Sequence, residues 1–207
     1  MSDGETTVVW AEGTRRLRNH PVFGPVVRKV GPVAVPVREG GPFAYLTRAI
    51  VYQQLAGAAA RTIHGRVLEV LGGEVPPAAV AAASDEDLRG AGLSRNKLAA
   101  IRDLAEKAGS GEVALDELEE QGDHEVVTRL TKVRGIGPWT ARMYLMFGLY
   151  RPDVWPVGDL GVRQGYAALH GLEEPVPEAE LRARGDDYRP WRSAAAWYCW
   201  RALELDE

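Results

Sequence analysis

Apolar residues recur at three- and four-residue intervals along most of this chain, with polar residues between them. Over residues 42–54 the apolar positions are Phe43, Leu46, Ile50 and Val51, one face of a helix. A second helix is expected over 58–71, with Ile63, Val67 and Leu71 on one side and Gly72-Gly73 as its stop. An Ala-rich run at 78–83 reads as helix, and Ser84-Asp-Glu-Asp has the form of a capping box. Residues 94–108 place Leu98, Ile101, Leu104 and Ala105 on one face, with Arg95, Lys97, Arg102 and Lys107 mostly elsewhere. Helices at 123–131 and 138–149 flank a glycine-rich turn. Pro138 sits at a favoured first-turn position. The 138–149 segment carries one charge, Arg142, which predicts a buried central helix. Segments 159–171 and 190–205 complete the set. The one strand-like piece, 32–38, alternates Val33, Val35 and Val37 with Pro32, Ala34 and Pro36, and its two prolines demote it to an extended connector. The expectation is an all-α protein.

Composition limits the function classes. The chain has 207 residues, 45% hydrophobic and 26% charged, enough for one full core or two small lobes. No run of about 18 apolar residues suggests a membrane span, and the start of the chain lacks the apolar segment of a secretory signal. Cys199 is the only cysteine, so an internal disulfide or a Cys-ligated cluster is excluded. His20, His64, His124 and His170 lack metal-ligand spacing, so no metal site is expected. A cytoplasmic setting fits. The net charge of −4 weighs mildly against a nucleic-acid partner. The distribution is uneven, however: acids concentrate in residues 111–125 and at 204–207, and without them the remainder is net basic. The acidic run itself reads as a solubilising face.

The richest chemistry lies between Leu130 and Asp159. Gly135-Ile136-Gly137 suits a tight helix-to-helix turn, because glycine accepts positive φ and allows a partner close to the backbone. Ile136 would anchor that turn in the core. Amides opening the next helix bind anions. A bare Gly-x-Gly would suit an ordinary αα-turn. The whole pattern, Leu-x-x-Val-x-Gly-Ile-Gly-x-x-x-Ala-x-x-Tyr, is more restrictive and reads as a phosphate clamp. Asp159 then follows Pro156-Val-Gly158 at the start of a helix. It can serve as a plain N-cap. It can also stabilise positive charge developing on a sugar, or orient an attacking water.

These segments resemble the helix–hairpin–helix (HhH-GPD) DNA glycosylase superfamily, with Pro156-Val-Gly-Asp159 as its "GPD"-type element. Within it the chain is similar to the 3-methyladenine DNA glycosylase II (AlkA-type) branch. Ile50-Val-Tyr-Gln-Gln-Leu55, Gly92-Leu-Ser-Arg-Asn-Lys-Leu98, Gly137-Pro-Trp-Thr-Ala141 and Arg189-Pro-Trp-Arg-Ser193 carry that likeness, which spans about residues 10–203. The resemblance implies a two-lobed helical fold with a cleft between lobes and no N-terminal β domain. One lobe would be residues 1–41 with 152–207, the other 42–151 carrying the hairpin.

The resemblance also implies roles. Asp159 would be catalytic. Trp139, Met143 and Trp200 would line the base pocket, Trp200 by stacking, although a tryptophan there can equally fill core; Trp191 and Trp197 read as core. Met143 stands where the prototype has a tyrosine, which leaves substrate range open. Gln53, Gln54 and Leu55 would intercalate, with Gln54 as the plug and a polar helix terminus as the alternative. Phosphate contacts would come from Gly135, Gly137 and Trp139, joined by Arg134, with Arg95, Lys97 and Arg163 adding charge. Strand-cleaving relatives carry a lysine where this chain has Trp139, twenty residues before Asp159. The implied enzyme is therefore monofunctional, without AP lyase activity. It would hydrolyse the N-glycosidic bond of alkylated purines (3-methyladenine and 7-methylguanine type) in double-stranded DNA, during base excision repair. No cofactor is required; a structural monovalent cation at the hairpin is a family feature. The implied state is a monomer, acting at a bacterial nucleoid and away from membranes. The rivals are a glycosylase for deaminated or oxidised bases, and a non-catalytic hairpin module that only binds DNA.

Overall fold

The computed structural model describes residues 6–37 and 40–205. In chain order the elements are strand β1 (Thr6–Val8), helices α1 (Ala11–Arg18) and α2 (Gly24–Val30), strand β2 (Ala34–Pro36), and helices α3 (Pro42–Tyr52), α4 (Gly57–Val70), α5 (Pro77–Ala82), α6 (Asp85–Gly90), α7 (Arg95–Gly109), α8 (Asp123–Leu130), α9 (Pro138–Met143), α10 (Leu160–Leu169), α11 (Glu178–Arg184) and α12 (Arg192–Leu203). Short 3-10 turns at Leu115–Glu117 and Gly185–Tyr188 lie in the connections. The fold is essentially all helix.

Two expectations need correction. The connector at 32–38 is a strand after all: Thr6, Thr7 and Val8 pair antiparallel with Pro36, Val35 and Ala34. Proline survives there because a two-stranded ribbon is all edge, and Val33 and Val35 are buried beneath it. The helix expected over 138–149 is α-helical only to Met143; Tyr144–Gly148 continues it as a π turn. Helix α11, with its charged sequence EAELRAR, gave too little apolar periodicity to be foreseen, since Leu181 is its one buried residue.

The chain divides into two compact units, Arg38–Tyr144 and Met1–Val37 with Leu145–Glu207. The second boundary falls within the π turn, seven residues before the expected position.

The 38–144 unit is built around α7, which packs on α3 and α5. Leu46 and Ile50 of α3, Leu88 of α6 and Ile101 and Leu104 of α7 are fully buried. Each such side chain contributes roughly 1.5–3 kcal/mol by leaving water. The starts are set locally: Ser84 Oγ accepts from Asp87 N at 3.0 Å, and Ser94 Oγ from Lys97 N at 3.3 Å.

The other unit is built around α12, which packs on α10, α1 and α2. Ala194, Ala195, Ala196, Tyr198, Cys199 and Ala202 are all buried, as expected of a helix apolar around most of its circumference. Gly161 and Gly165 of α10 face it. A Cβ on Gly165 would fall on the Cys199 backbone, and one on Gly161 would come within 2.8 Å of Trp200 Cδ1. Beside this pair, Phe23, Trp155, Tyr166 and Tyr188 form an aromatic cluster, and Trp155 Nε1 donates to Leu181 O at 2.8 Å.

Candidate active site

The predicted clamp lies in the 38–144 unit. Helix α8 ends at Leu130, and the chain turns through Val133 and Ile136, both buried, to Pro138. Arg134, Gly135, Gly137 and Trp139 are exposed, Trp139 by half. Gly135 has φ +77°, and a Cβ there would lie 3.1 Å from Ala100 Cβ of α7, so both the turn and the close approach call for glycine. Neither the Gly135 nor the Gly137 amide donates to a backbone carbonyl among the described residues.

A buttress that sequence reasoning missed holds this turn. Asp103 Oδ2 accepts from the Arg134 amide at 2.7 Å. Lys107 Nζ donates to both Asp103 oxygens at 3.0 Å and to Lys132 O at 2.7 Å. Burial pushes the Asp103 carboxyl up, but the Arg134 amide and Lys107 outweigh it and hold it below its ordinary value. The Arg134 amide is thus committed inside the protein, and only its side chain is available to an anion. Trp139 and Met143 follow on α9, four residues apart and so on one face.

The turn expected to intercalate lies in the same unit, directly after α3. Gln54 and Leu55 are exposed. Gln54 has φ +57°, a left-handed conformation unusual for this residue type. Gln53 differs from expectation. It is half-buried, and its Nε2 donates to Gly135 O at 3.0 Å and to Thr140 Oγ1 at 3.4 Å. Its side chain points at the hairpin and is not a plug. Lys97, expected to add positive charge, instead donates from Nζ to Val51 O at 2.7 Å, and burial lowers its pKa.

The carboxylate lies in the other unit. Asp159 is 9% exposed and is the N-cap of α10: its Oδ1 accepts from Val162 N at 2.8 Å. The same oxygen accepts from Trp200 Nε1 of α12 at 2.9 Å. Trp200 is half-buried, tilted 37° against Phe147 with centroids 5.9 Å apart. Burial first, then the Asp159 charge, pushes the Cys199 thiol far above its ordinary value, so that thiol stays protonated. Arg163 is spent on the fold, donating to Val176 O at 2.7 Å.

The Arg189–Ser193 motif proves to be an anchor for the segment leading to Asp159. Arg192 Nε and Nη2 clasp the Asp153 carboxylate at 2.7 and 2.9 Å. Ser193 Oγ donates to Arg151 O at 2.6 Å and accepts from Val154 N at 2.9 Å. Trp191 and Trp197, expected in the core, are both only half-buried, and Arg201 lies 5.2 Å over the Trp197 ring. Among the described residues no cluster of His, Cys, Asp and Glu could hold a metal, and no helix is long and apolar enough to cross a membrane.

The structure thus brings Asp159 and Trp200 together in one unit, and Gln53 and the hairpin together in the other. Residues 47–187 match the model of the HhH-GPD superfamily base excision DNA repair proteins. The chain belongs to this superfamily. The matched span of this HhH-GPD protein contains the turn at Gln53, the hairpin and Asp159, and stops short of Trp200. A DNA-3-methyladenine glycosylase 1 of Schizosaccharomyces pombe is 35% identical over 167 residues, covering 79% of this chain and 73% of the relative. A Bacillus halodurans DNA-3-methyladenine glycosidase has a similar crystal structure, with TM-score 0.85 and 33% identity over 98% of this chain and 95% of the other. The S. pombe 3-methyladenine DNA glycosylase Mag1, solved in complex with abasic DNA, superposes with TM-score 0.81 and 32% identity, over 94% of this HhH-GPD chain and 97% of that one.

Proposed function

We propose that this protein is a monofunctional DNA glycosylase that hydrolyses the N-glycosidic bond of alkylated purines, of the 3-methyladenine and 7-methylguanine type, in base excision repair. The observation that carries this reading is the Asp159 carboxylate, nearly buried and with one oxygen fixed by donors from two helices. Plain capping requires only the Val162 amide. A second donor from α12 fixes the direction of the carboxylate as well, which is what a group acting on a single atom requires.

The chemistry follows. As the C1′–N bond stretches, its electron pair moves to the departing base and positive charge grows at C1′. Asp159 stabilises that charge. A water oxygen bonds to C1′, and its proton passes to Asp159 or to solvent. An N-alkylated purine carries a positive charge and leaves as a neutral molecule, so no strong acid is needed to protonate it. Trp139 has no amine with which to attack C1′, and the residues after it, Thr140 and Ala141, have none either. The sugar–phosphate strand stays intact and an abasic site remains, the species bound in the Mag1 complex.

Trp139, Met143 and Trp200 are the residues we assign to the extruded base. An electron-poor ring on an indole face gains about 0.5–2 kcal/mol. Gln54 and Leu55 fill the gap left in the stack, and Gly135, Gly137 and the Trp139 amide take phosphates, with the Arg134 side chain beside them. The partner is double-stranded DNA containing a damaged base, met by a monomer in the cytoplasm at the nucleoid. A monovalent cation at the hairpin would need carbonyl ligands. The Lys132 and Gly135 carbonyls are engaged by Lys107 and Gln53, so the remaining hairpin carbonyls would have to hold it.

The test is release of methylated purines from DNA by the wild type and by Asp159→Asn. Asparagine caps a helix as well as aspartate does, so the variant should melt near the wild type. It should release base roughly a hundredfold more slowly or worse. A variant with full activity removes Asp159 from the chemistry. A wild type that binds DNA and releases no base is a binding module.

A further inference from the structure

We infer that Gln53 is a positioning residue that ties the turn bearing Gln54 and Leu55 to the phosphate hairpin, so that gripping the backbone and entering the base stack become one coupled event. The inference rests on the glycosylase reading of those two elements. Gln53 and Gly135 are 82 residues apart in sequence, yet Gln53 Nε2 donates to Gly135 O at 3.0 Å and to the nearly buried Thr140 Oγ1 at 3.4 Å. A backbone carbonyl can only accept, which fixes the amide end of Gln53 toward the hairpin. The side chain bridges the residue just before the exposed Gln54 to the peptide at the heart of the clamp.

A second link runs through α7. Lys97 holds the carbonyl of Val51 at the end of α3. Ala100 lies under Gly135. Asp103 and Lys107 hold Arg134 N and Lys132 O. These positions recur at three- and four-residue spacing, so one face of one rigid helix bears on both functional turns. A displacement of the hairpin is passed to the intercalating turn by the Gln53 strap and by this helix. The left-handed Gln54 supplies the reason a strap is needed, because an unsupported turn would relax from that conformation.

The experiment uses Gln53→Met, which keeps the length of the side chain and removes both donors. The probes are an undamaged duplex and a duplex with a tetrahydrofuran abasic analogue beside 2-aminopurine, whose fluorescence rises on unstacking. The wild type should prefer the abasic duplex and raise its fluorescence at saturation. Gln53→Met should bind undamaged duplex within about twofold of the wild type and lose about tenfold of the abasic preference, a usual size for coupling between linked sites. Most of the fluorescence rise should go with it. A merely structural glutamine would lower the melting temperature while leaving the preference and the fluorescence per bound complex unchanged, and that result overturns the inference, as does a wild type that unstacks nothing. Lys97→Met cuts the second link and, should Gln53→Met fail to fold, decides the matter by the same readouts. No catalysis is involved, so a failure of the glycosylase reading shows separately, as a wild type that unstacks the abasic duplex and releases no methylated base.

Discussion

Gly165 offers the sharpest test of the packing that holds Asp159 and Trp200 together. A Cβ at this position would overlap the Cys199 carbonyl oxygen and lie 2.5 Å from the carbonyl carbon and 2.9 Å from Cα. All three are backbone atoms of the central helix α12, so no side chain can swing aside. Ordinary Cβ contacts begin near 3.4 Å, and Gly165→Ala therefore forces α10 and α12 apart by about 1.5 Å to reach normal packing. Overpacking a core costs about 1–3 kcal/mol, and a backbone obstacle places this variant at the upper end, about 3 kcal/mol. For a chain of this size each kcal/mol moves the midpoint by about 2–4 °C, so Gly165→Ala should melt about 6–12 °C below the wild type. A second effect accompanies the first. Trp200 follows Cys199 directly, and its indole nitrogen is 2.9 Å from Asp159 Oδ1 at the head of α10. Opening the helix pair by about 1.5 Å takes that contact out of hydrogen-bond range, and base release should slow with it. The control is Gly65→Ala in the middle of α4, where an added Cβ meets nothing within 4 Å. It should stabilise by about 0.5–1 kcal/mol, because alanine is the better helix former. Thermal melts and single-turnover release of methylated purine on the three proteins give the answer. A Gly165→Ala variant melting within about 2 °C of the wild type would refute the close-packing argument.

Two further perturbations separate stability from function in the other unit. Gln54→Gly relieves a left-handed conformation that costs a non-glycine residue about 1–2 kcal/mol, so the variant should melt at or above the wild type while releasing base more slowly, checked by the same two assays. Asp103→Asn should melt below the wild type at neutral pH. The folded-state pKa of Asp103 is depressed, so its contribution is present above the ordinary carboxylate value of 3.8 and is lost as pH falls through the depressed value; melts from pH 7 down to acid should show the two curves converging.

Much of this fold was legible because it is written in periodicity. The α3, α4 and α7 stripes, the Ser84 cap and the Gly-Ile-Gly turn are local codes, each readable within a dozen or so residues. What was not legible depends on partners far along the chain. The ribbon of β1 and β2 needs Thr6–Val8 to find Ala34–Pro36; the alternation at 32–38 is visible in the sequence, but its prolines argue against a strand until that partner is in place. Asp103 and Lys107 look like an ordinary i,i+4 surface pair in the sequence; only the return of the chain at Lys132–Arg134 gives them a task. Gln53 reads as a polar helix terminus until Gly135 comes to lie against it. Lys97 and Arg163 read as charge supporting the phosphate grip because they are basic, yet both donate to backbone carbonyls.

Asp159 shows why capping and catalysis are not competing readings of one residue. A carboxylate free to rotate at a helix end would cap the helix and still point its charge in many directions. Here the Val162 amide fixes the carboxylate to α10, and the Trp200 indole fixes it to α12. Gly161 allows the second contact, since a Cβ there would come within 3.0 Å of the indole nitrogen and 3.2 Å of the carboxylate oxygen. Capping is therefore part of how the charge is aimed. The same logic governs the hairpin unit, where the turn that presents Gln54 is held by Gln53 and Lys97, and the turn that presents two glycine amides is held by Asp103 and Lys107. In each unit at least one of the supports comes from a separate helix, Trp200 of α12 for Asp159 and Lys97, Asp103 and Lys107 of α7 for the two turns. Substitution of those supports should change rate and selectivity more than it changes affinity for undamaged DNA, because they set where the binding groups point and leave the groups themselves in place.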